Sequence, residues 1–268
     1  MSTIASIDMA AADAVAAAAA EVGENGAVVL RGIVPAGLVL RMQDELARAM
    51  SEDLQRFGAA HPFPGMVHAL MLRGASFLDL LCVDAVRAVS RAMLGHGAIV
   101  HAFNSSSLPP EGTNYAGRIH VDSPRYIPGY VTNVGLAFPL DAFTLENGAM
   151  EIWPRSFRFA TAPPAEEFNA NKVILAGLQP GDAVCFNSRC WHQSGVNSTP
   201  AWRHAVTLNV CRAYMRQQLD FPRMISGEVA SRLAEDVRQF LGYHVRMPAS
   251  MDEFLAPPEQ RAYRPGQE

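Results

Sequence analysis

Lysine is almost missing from this chain: among its 22 basic residues Lys172 is the only one, and charged residues of both signs make up just 18% of the 268 positions. With a net charge of −4 and no cluster of cations, there is no electrostatic footprint for a phosphate backbone or an anionic lipid surface. Nucleic acid and membrane are therefore excluded as partners. Cysteine is scarce too. Cys82, Cys185, Cys190 and Cys211 form no Cys-x-x-Cys pair and are too few to scaffold a chain of this length, which fits free thiols in a reducing cytoplasm. Long apolar runs are lacking: Ala10 to Ala20 is mostly alanine, interrupted by Asp13, with no basic segment before it, and it reads as a helix rather than a signal or a span. What the chain does have is 49% hydrophobic residues, enough to bury a sizeable core, so disorder is excluded as the main state.

The first third predicts a helix over Ala11–Glu21, a strand over Ala27–Arg31 and a second helix over Val34–Met50, where Leu38, Met42 and Leu46 recur at helical spacing. Pro62 and Pro64 make Phe57–Gly65 irregular, and helical patterns resume through Met66–Leu94. From about 98 to 215 the texture changes. Short apolar or alternating runs (AIVHAF, RIHVD, GYVTNVGLAF, AMEIW, AVCFN, HAVTLNVCRAY) are separated by the turn signals LPPEG, DSPR, ENG and QPGD, the pattern of an antiparallel sandwich or barrel of roughly eight strands. A helix over Ser226–Leu241 and a polar tail follow. No repeat, linker or compositional break divides the chain, so it is expected to be a single domain over 1–268: a helical part to about 97, a β core over about 98–215, and a helix and tail over about 216–268. Its fold class is mainly β with flanking helices. No feature specifies an oligomeric state.

Two short patterns carry chemistry. In GRIHVDSPR, His120 and Asp122 stand two apart, which on a strand sends an imidazole and a carboxylate to one face. About one such pair is expected by chance among 8 histidines and 26 acids, so the pair means little alone. In AVCFNSRCWHQSGVNSTPAWRHAV, His192 ends one strand and Arg203 begins the next, which would bring them side by side across a hairpin. Two histidines and one carboxylate, two of them close in sequence and the third distant, can hold ferrous iron and leave coordination positions open. A chelating 2-oxoacid and dioxygen (O2) could fill those positions, with the Arg203 guanidinium pairing with the distal carboxylate. His101 and Asn104 could reach the same pocket from a neighbouring strand, and His61, Met66 and His68 lie in the irregular loop over 57–73, where substrate could rest. His204 follows Arg203 and should point to the opposite face. Nothing around the cysteines except Arg189, beside Cys190, could activate a thiolate.

The runs HVDSPR, LDAFTLENGAMEIWP and LQPGDAVCFNSRCWHQSGVNSTPAWRHAVTLNVCRAYMRQQ, together with GENGAVVLRGIVPAGLVLRMQDEL near the start, resemble the phytanoyl-CoA dioxygenase family of iron(II)/2-oxoglutarate-dependent oxygenases. The likeness extends from about Glu21 to Tyr214. It implies a double-stranded β-helix, that is, a cupin-like jelly roll, with Fe(II) on His120, Asp122 and His192. Arg203 and Ser194 would serve the co-substrate 2-oxoglutarate, and Asn104, from its position on a neighbouring strand, is a further candidate for that role. The implied reaction is hydroxylation, with O2 consumed and succinate and CO2 released, and the apolar composition of the chain suggests a small, largely apolar metabolite as substrate. Desaturation, epoxidation and rearrangement at the same centre are alternatives. Asp122 favours hydroxylation over halogenation, since related halogenases leave that position small. A metal-free jelly-roll binding protein is disfavoured because His120, Asp122, His192 and Arg203 occur together, and a zinc or manganese cupin would have no need of Arg203. Two departures stand out: Pro154-Arg155-Ser156-Phe157 replaces the family's usual Pro-Gly-Ser-His, and Ile119 precedes the His-x-Asp where Gln or Trp is common.

Overall fold

Ala27–Arg31, predicted as a strand from its aliphatic and β-branched residues, is β2 of a six-stranded sheet, and all of it but Arg31 is buried. The computed structural model describes residues 3–261, 263–264 and 266–267. The strands in chain order are β1 (Ser6–Asp8), β2, β3 (Ile99–Ser105), β4 (Asn133–Pro139), β5 (Met150–Ile152), β6 (Val173–Ile174), β7 (Ala183–Asn187), β8 (His192–Ser194) and β9 (Ala205–Cys211). The large sheet runs β1-β2-β7-β4-β9-β3, antiparallel except for the parallel β1–β2 pair, and the small sheet runs β6-β5-β8.

Each face of the large sheet has its own partner, and strand alternation decides which residues go where. Val134, Leu136, Val206, Leu208 and Val210 turn to the helical side. There they meet α1 (Ala14–Asn25), α2 (Ala36–Phe57), α3 (Ala75–Leu81) and α4 (Asp84–Leu94) in the main hydrophobic cluster. Ala137, Val184, Phe186 and Ala205 turn the other way and pack with Phe143, Met150 and Ile152 on the small-sheet side. Helix α1 presents Ala14, Ala18 and Val22, one residue per turn, and stops where Gly26 takes a left-handed φ of 86°. A Cβ on Gly26 would lie 2.5 Å from the Cys190 sulfur, so glycine serves both the helix stop and the close approach to the segment before β8.

Apart from where elements begin and end, the helical and strand expectations hold with three differences. Helices occupy more of the chain than strands do, because the strands are short. The predicted helix over Ser226–Leu241 is two helices in the structure, among α5 (Ala165–Asn171), α6 (Phe221–Met224), α7 (Gly227–Arg232), α8 (Glu235–Phe240) and α9 (Met251–Leu255). Leu233 and Ala234 are extended between α7 and α8. RIHVD is not a strand: its one pairing is a single antiparallel bridge between His120 and His192.

Candidate active site

The bridge that replaces the expected strand is what assembles the site. His120 N–H donates to the His192 carbonyl and His192 N–H to the His120 carbonyl, each at 3.0 Å, so residues 72 positions apart sit directly opposite one another. Their rings lie 4.3 Å apart between centroids. Each imidazole is oriented by its own chain: His120 Nδ1 bonds to the Arg118 carbonyl at 2.6 Å, and His192 Nδ1 to the Cys190 carbonyl at 2.9 Å. A carbonyl can only accept, so both Nδ1 atoms carry a proton, which leaves Nε2 as the ring nitrogen available to a metal. They point at one oxygen. Asp122 Oδ1 is 3.6 Å from His120 Nε2 and 3.7 Å from His192 Nε2, and all three donor atoms lie within 4.8 Å of one another. Burial, the largest influence, pulls the His192 imidazole well below its ordinary pKa, against the upward pull of Asp122, which keeps the ring neutral. Two imidazoles oriented by backbone carbonyls and one carboxylate form a donor set that could hold a divalent transition metal.

Asp122 and His192 are themselves braced. Asp122 N–H donates to the Ser188 carbonyl at 2.9 Å, and Asn209 Nδ2 approaches its outer oxygen at 3.5 Å. Phe186 packs edge-on against the His192 ring, with centroids 4.8 Å apart, over Gly135, where a Cβ would lie 2.4 Å from the phenyl ring.

Arg203 lines the same cavity, whose volume is about 390 Å³. It is 2% exposed, and its partners are all neutral: the Ser106 carbonyl at 3.3 Å, the Gly148 carbonyl at 3.2 Å and Ser194 Oγ at 3.3 Å, with Phe143 beneath the guanidinium at 4.6 Å. Its Nε has no partner at all. Burial lowers its pKa to about 10, which still leaves a cation at neutral pH. A buried cation with unfilled hydrogen-bonding capacity facing a cavity is suited to an anion, a carboxylate above all.

The expected residues divide clearly. Asn104 lines the cavity, with its Oδ1 accepting from Ala69 N–H at 3.2 Å and its amide nitrogen 3.4 Å from Gln218 Oε1. His101, Met66 and His68 also line it, whereas His61 turns to Asp53 at 3.9 Å. His204 points away, to Ser107 Oγ at 3.0 Å. Cys185, Cys190 and Cys211 are buried, their thiols pushed up to about 12 by burial, while Cys82 is exposed. Sequence reasoning missed Asn209, Thr207 and Gln218, all on the cavity wall. The first two lie on β9 with the parity of Arg203, which stands two residues before that strand, and that alternation was the available signal. Of the two departures, Arg155 is explained. It keeps a left-handed backbone with φ 64°, the conformation a glycine adopts freely, and is held by bonds from its N–H to the Asn25 carbonyl (2.8 Å) and its Nε to Asn25 Oδ1 (3.1 Å).

The cupin-like arrangement of sheets and helices around the His-Asp-His cluster is shared with solved structures. The structure is similar to that of AviO1 from Streptomyces viridochromogenes Tue57, at a TM-score of 0.60 and 19% identity over 73% of this chain and 94% of that one. It is also similar to the non-heme alpha ketoglutarate dependent epimerase SnoN from nogalamycin biosynthesis, with a TM-score of 0.57 and 17% identity over 75% and 84% of the two chains. The phytanoyl-CoA dioxygenase family profile matches residues 22–205, and the chain belongs to that family. It is a dioxygenase whose cofactor set is iron(II), 2-oxoglutarate and O2. In sequence it is 26% identical to uncharacterized protein Rv1501 of Mycobacterium tuberculosis over 90% of this chain and 92% of that one. It is 24% identical to dioxygenase ALT11 of Alternaria alternata over 84% and 80%. Among the described residues no helix is long and apolar enough to cross a membrane.

Proposed function

We propose that His120, Asp122 and His192 hold the iron(II), that Arg203 with Ser194 receives the distal carboxylate of 2-oxoglutarate, and that a small, largely apolar molecule is hydroxylated in the cavity between them. One observation carries this reading: two Nε2 atoms converge on one Asp122 oxygen, and a buried guanidinium whose hydrogen-bond partners are all neutral lines the same cavity. Bound iron(II) would supply activation of O2, with 2-oxoglutarate leaving as succinate and CO2 and one oxygen atom entering a substrate C–H bond. The protein does the rest. Backbone carbonyls fix the imidazole tautomers, Arg203 and Ser194 orient the ketoacid, and Phe186 and Phe143 shield the interior from water. The Asp122 carboxylate fills the position a halide would need, which supports hydroxylation.

A small-molecule substrate fits the wall, where Phe63, Met66, Ala102 and Ala137 are interspersed with Asn104, Thr207 and Gln218. Two sheets enclosing the site support a double-stranded β-helix as the core of one domain over 1–268. The test is anaerobic titration with Fe(II) and 2-oxoglutarate. Wild type should develop a weak visible metal-to-ligand charge-transfer band that His192→Ala abolishes. No band in wild type, or an undiminished one in His192→Ala, would overturn the reading.

A further inference from the structure

Arg189 is the second buried arginine near the site, 8% exposed, and it lies between β7 and β8, three residues before His192. One terminal nitrogen donates to the carbonyls of Ser123 (3.5 Å) and Pro124 (2.8 Å), the other to the carbonyl of Phe159, and the guanidinium sits 5.4 Å from the Tyr126 ring. Two of those three carbonyls belong to the residues immediately after Asp122. The third belongs to the segment after β5, which is itself tied to the His192 strand by Trp153 N–H to the Trp191 carbonyl (2.9 Å) and Trp191 N–H to Ser156 Oγ (2.8 Å).

The neighbouring backbone acts in the same direction, since the Ser188 carbonyl accepts from both Asp122 N–H (2.9 Å) and Ser123 N–H (3.1 Å). Beyond Ser123 the chain to Tyr130 forms no strand or helix and is exposed except for half-buried Tyr126. Asp122 therefore stands at the start of a loosely built loop whose near end is fastened at Ser188–Arg189. An apolar side chain here would leave the three carbonyls without their donor. A guanidinium, with five donors in one plane, reaches carbonyls of two loops in a more fixed geometry than an ammonium on a flexible stem.

We propose that Arg189 is a positioning residue for the metal centre: it fixes the Asp122 loop against the segment flanking His192, so that the carboxylate meets both imidazoles. This rests on the assignment of Asp122 and His192 as metal ligands.

The test is titration of the full-length metal-free protein with Co(II), followed by calorimetry and by the visible cobalt spectrum, in wild type, Asp122→Ala, Arg189→Met and Arg189→Lys. Folding is checked by melting without metal. The expected result for Arg189→Met is Co(II) affinity lowered by about 10- to 100-fold, with a spectrum shifted toward that of Asp122→Ala, and for Arg189→Lys a smaller shift the same way. Folded variants with wild-type affinity and spectrum would overturn the proposal. So would loss of the fold in both, which would make Arg189 a purely structural residue. Wild-type Co(II) binding and spectrum in Asp122→Ala would instead bring down the ligand assignment itself.

Discussion

The inner part of the cavity and its mouth are built from different material. At the inner part the functional groups are held by the backbone framework: His120 and His192 by a reciprocal bridge and by carbonyls on their Nδ1 atoms, Asp122 by the Ser188 carbonyl, Arg203 by two carbonyls and Ser194. At the mouth, Phe63, Met66 and His68 hang from a segment broken by Pro62 and Pro64, and Tyr115 projects half-exposed from a single 3₁₀ turn. The contrast teaches a division of labour. Groups proposed to hold an ion and an anion are fixed by the hydrogen-bonded framework, while groups proposed to meet a variable substrate are carried on loops.

Four substitutions would sharpen or break that contrast. The largest effect is expected at Arg203→Ala, which removes the cation facing the cavity. The dissociation constant for 2-oxoglutarate, measured by calorimetry with Co(II) bound, should rise about 100-fold, as for loss of a charge-assisted pair worth about 3 kcal/mol. Next is Gly135→Ala. Its Cβ would run into Phe186, so stability should fall by about 1–3 kcal/mol in denaturant melts, with weaker Co(II) binding as Phe186 presses on His192. An unchanged Co(II) affinity would show that the Phe186 packing is not part of the rigid framework.

A smaller and more selective effect is expected from Phe63→Ala at the mouth. Co(II) and 2-oxoglutarate affinities should stay within about twofold of wild type, since distant sites act independently, while succinate formed in the presence of an oxidised substrate falls. If the two affinities dropped, the mouth and the inner part would not be separable. The smallest is Arg155→Gly. Relief of the left-handed backbone and loss of the bonds to Asn25 oppose each other, so melting should reveal a change of less than about 1 kcal/mol.

The sequence was legible wherever a pattern is local. The strand over Ala27–Arg31 and the turn at Asn147-Gly148, with its positive φ of 78°, follow from residue types and spacing that need no distant partner. The helix after Arg31 was placed correctly but runs on to Phe57 rather than stopping at Met50, because its apolar stripe fades before its backbone does. The split between α7 and α8 was invisible, since Leu233 and Ala234 are ordinary helix formers. The break coincides with Asp236 engaging Arg87 at 2.9 Å and Arg91 through its carbonyl at 3.1 Å, contacts that only the packed molecule contains. For the candidate site, the residue types were readable and their support was not. His120 and Asp122 meet His192 through a single bridge in irregular chain rather than on the regular strand that the alternation suggested, and the roles of Asn209, Phe186 and Arg189 depend on contacts across the sheets.

By itself, then, the amino-acid order determined which side chains were available and which short segments would be extended or helical, because propensity and alternation act over a few residues. Tertiary structure alone decided that Asp122 Oδ1 stands between two imidazoles and that Arg203 faces the same cavity with no anion of its own. Such convergence arises from sheet pairing and from where buried polar groups find their partners, and neither is written in any one stretch of chain.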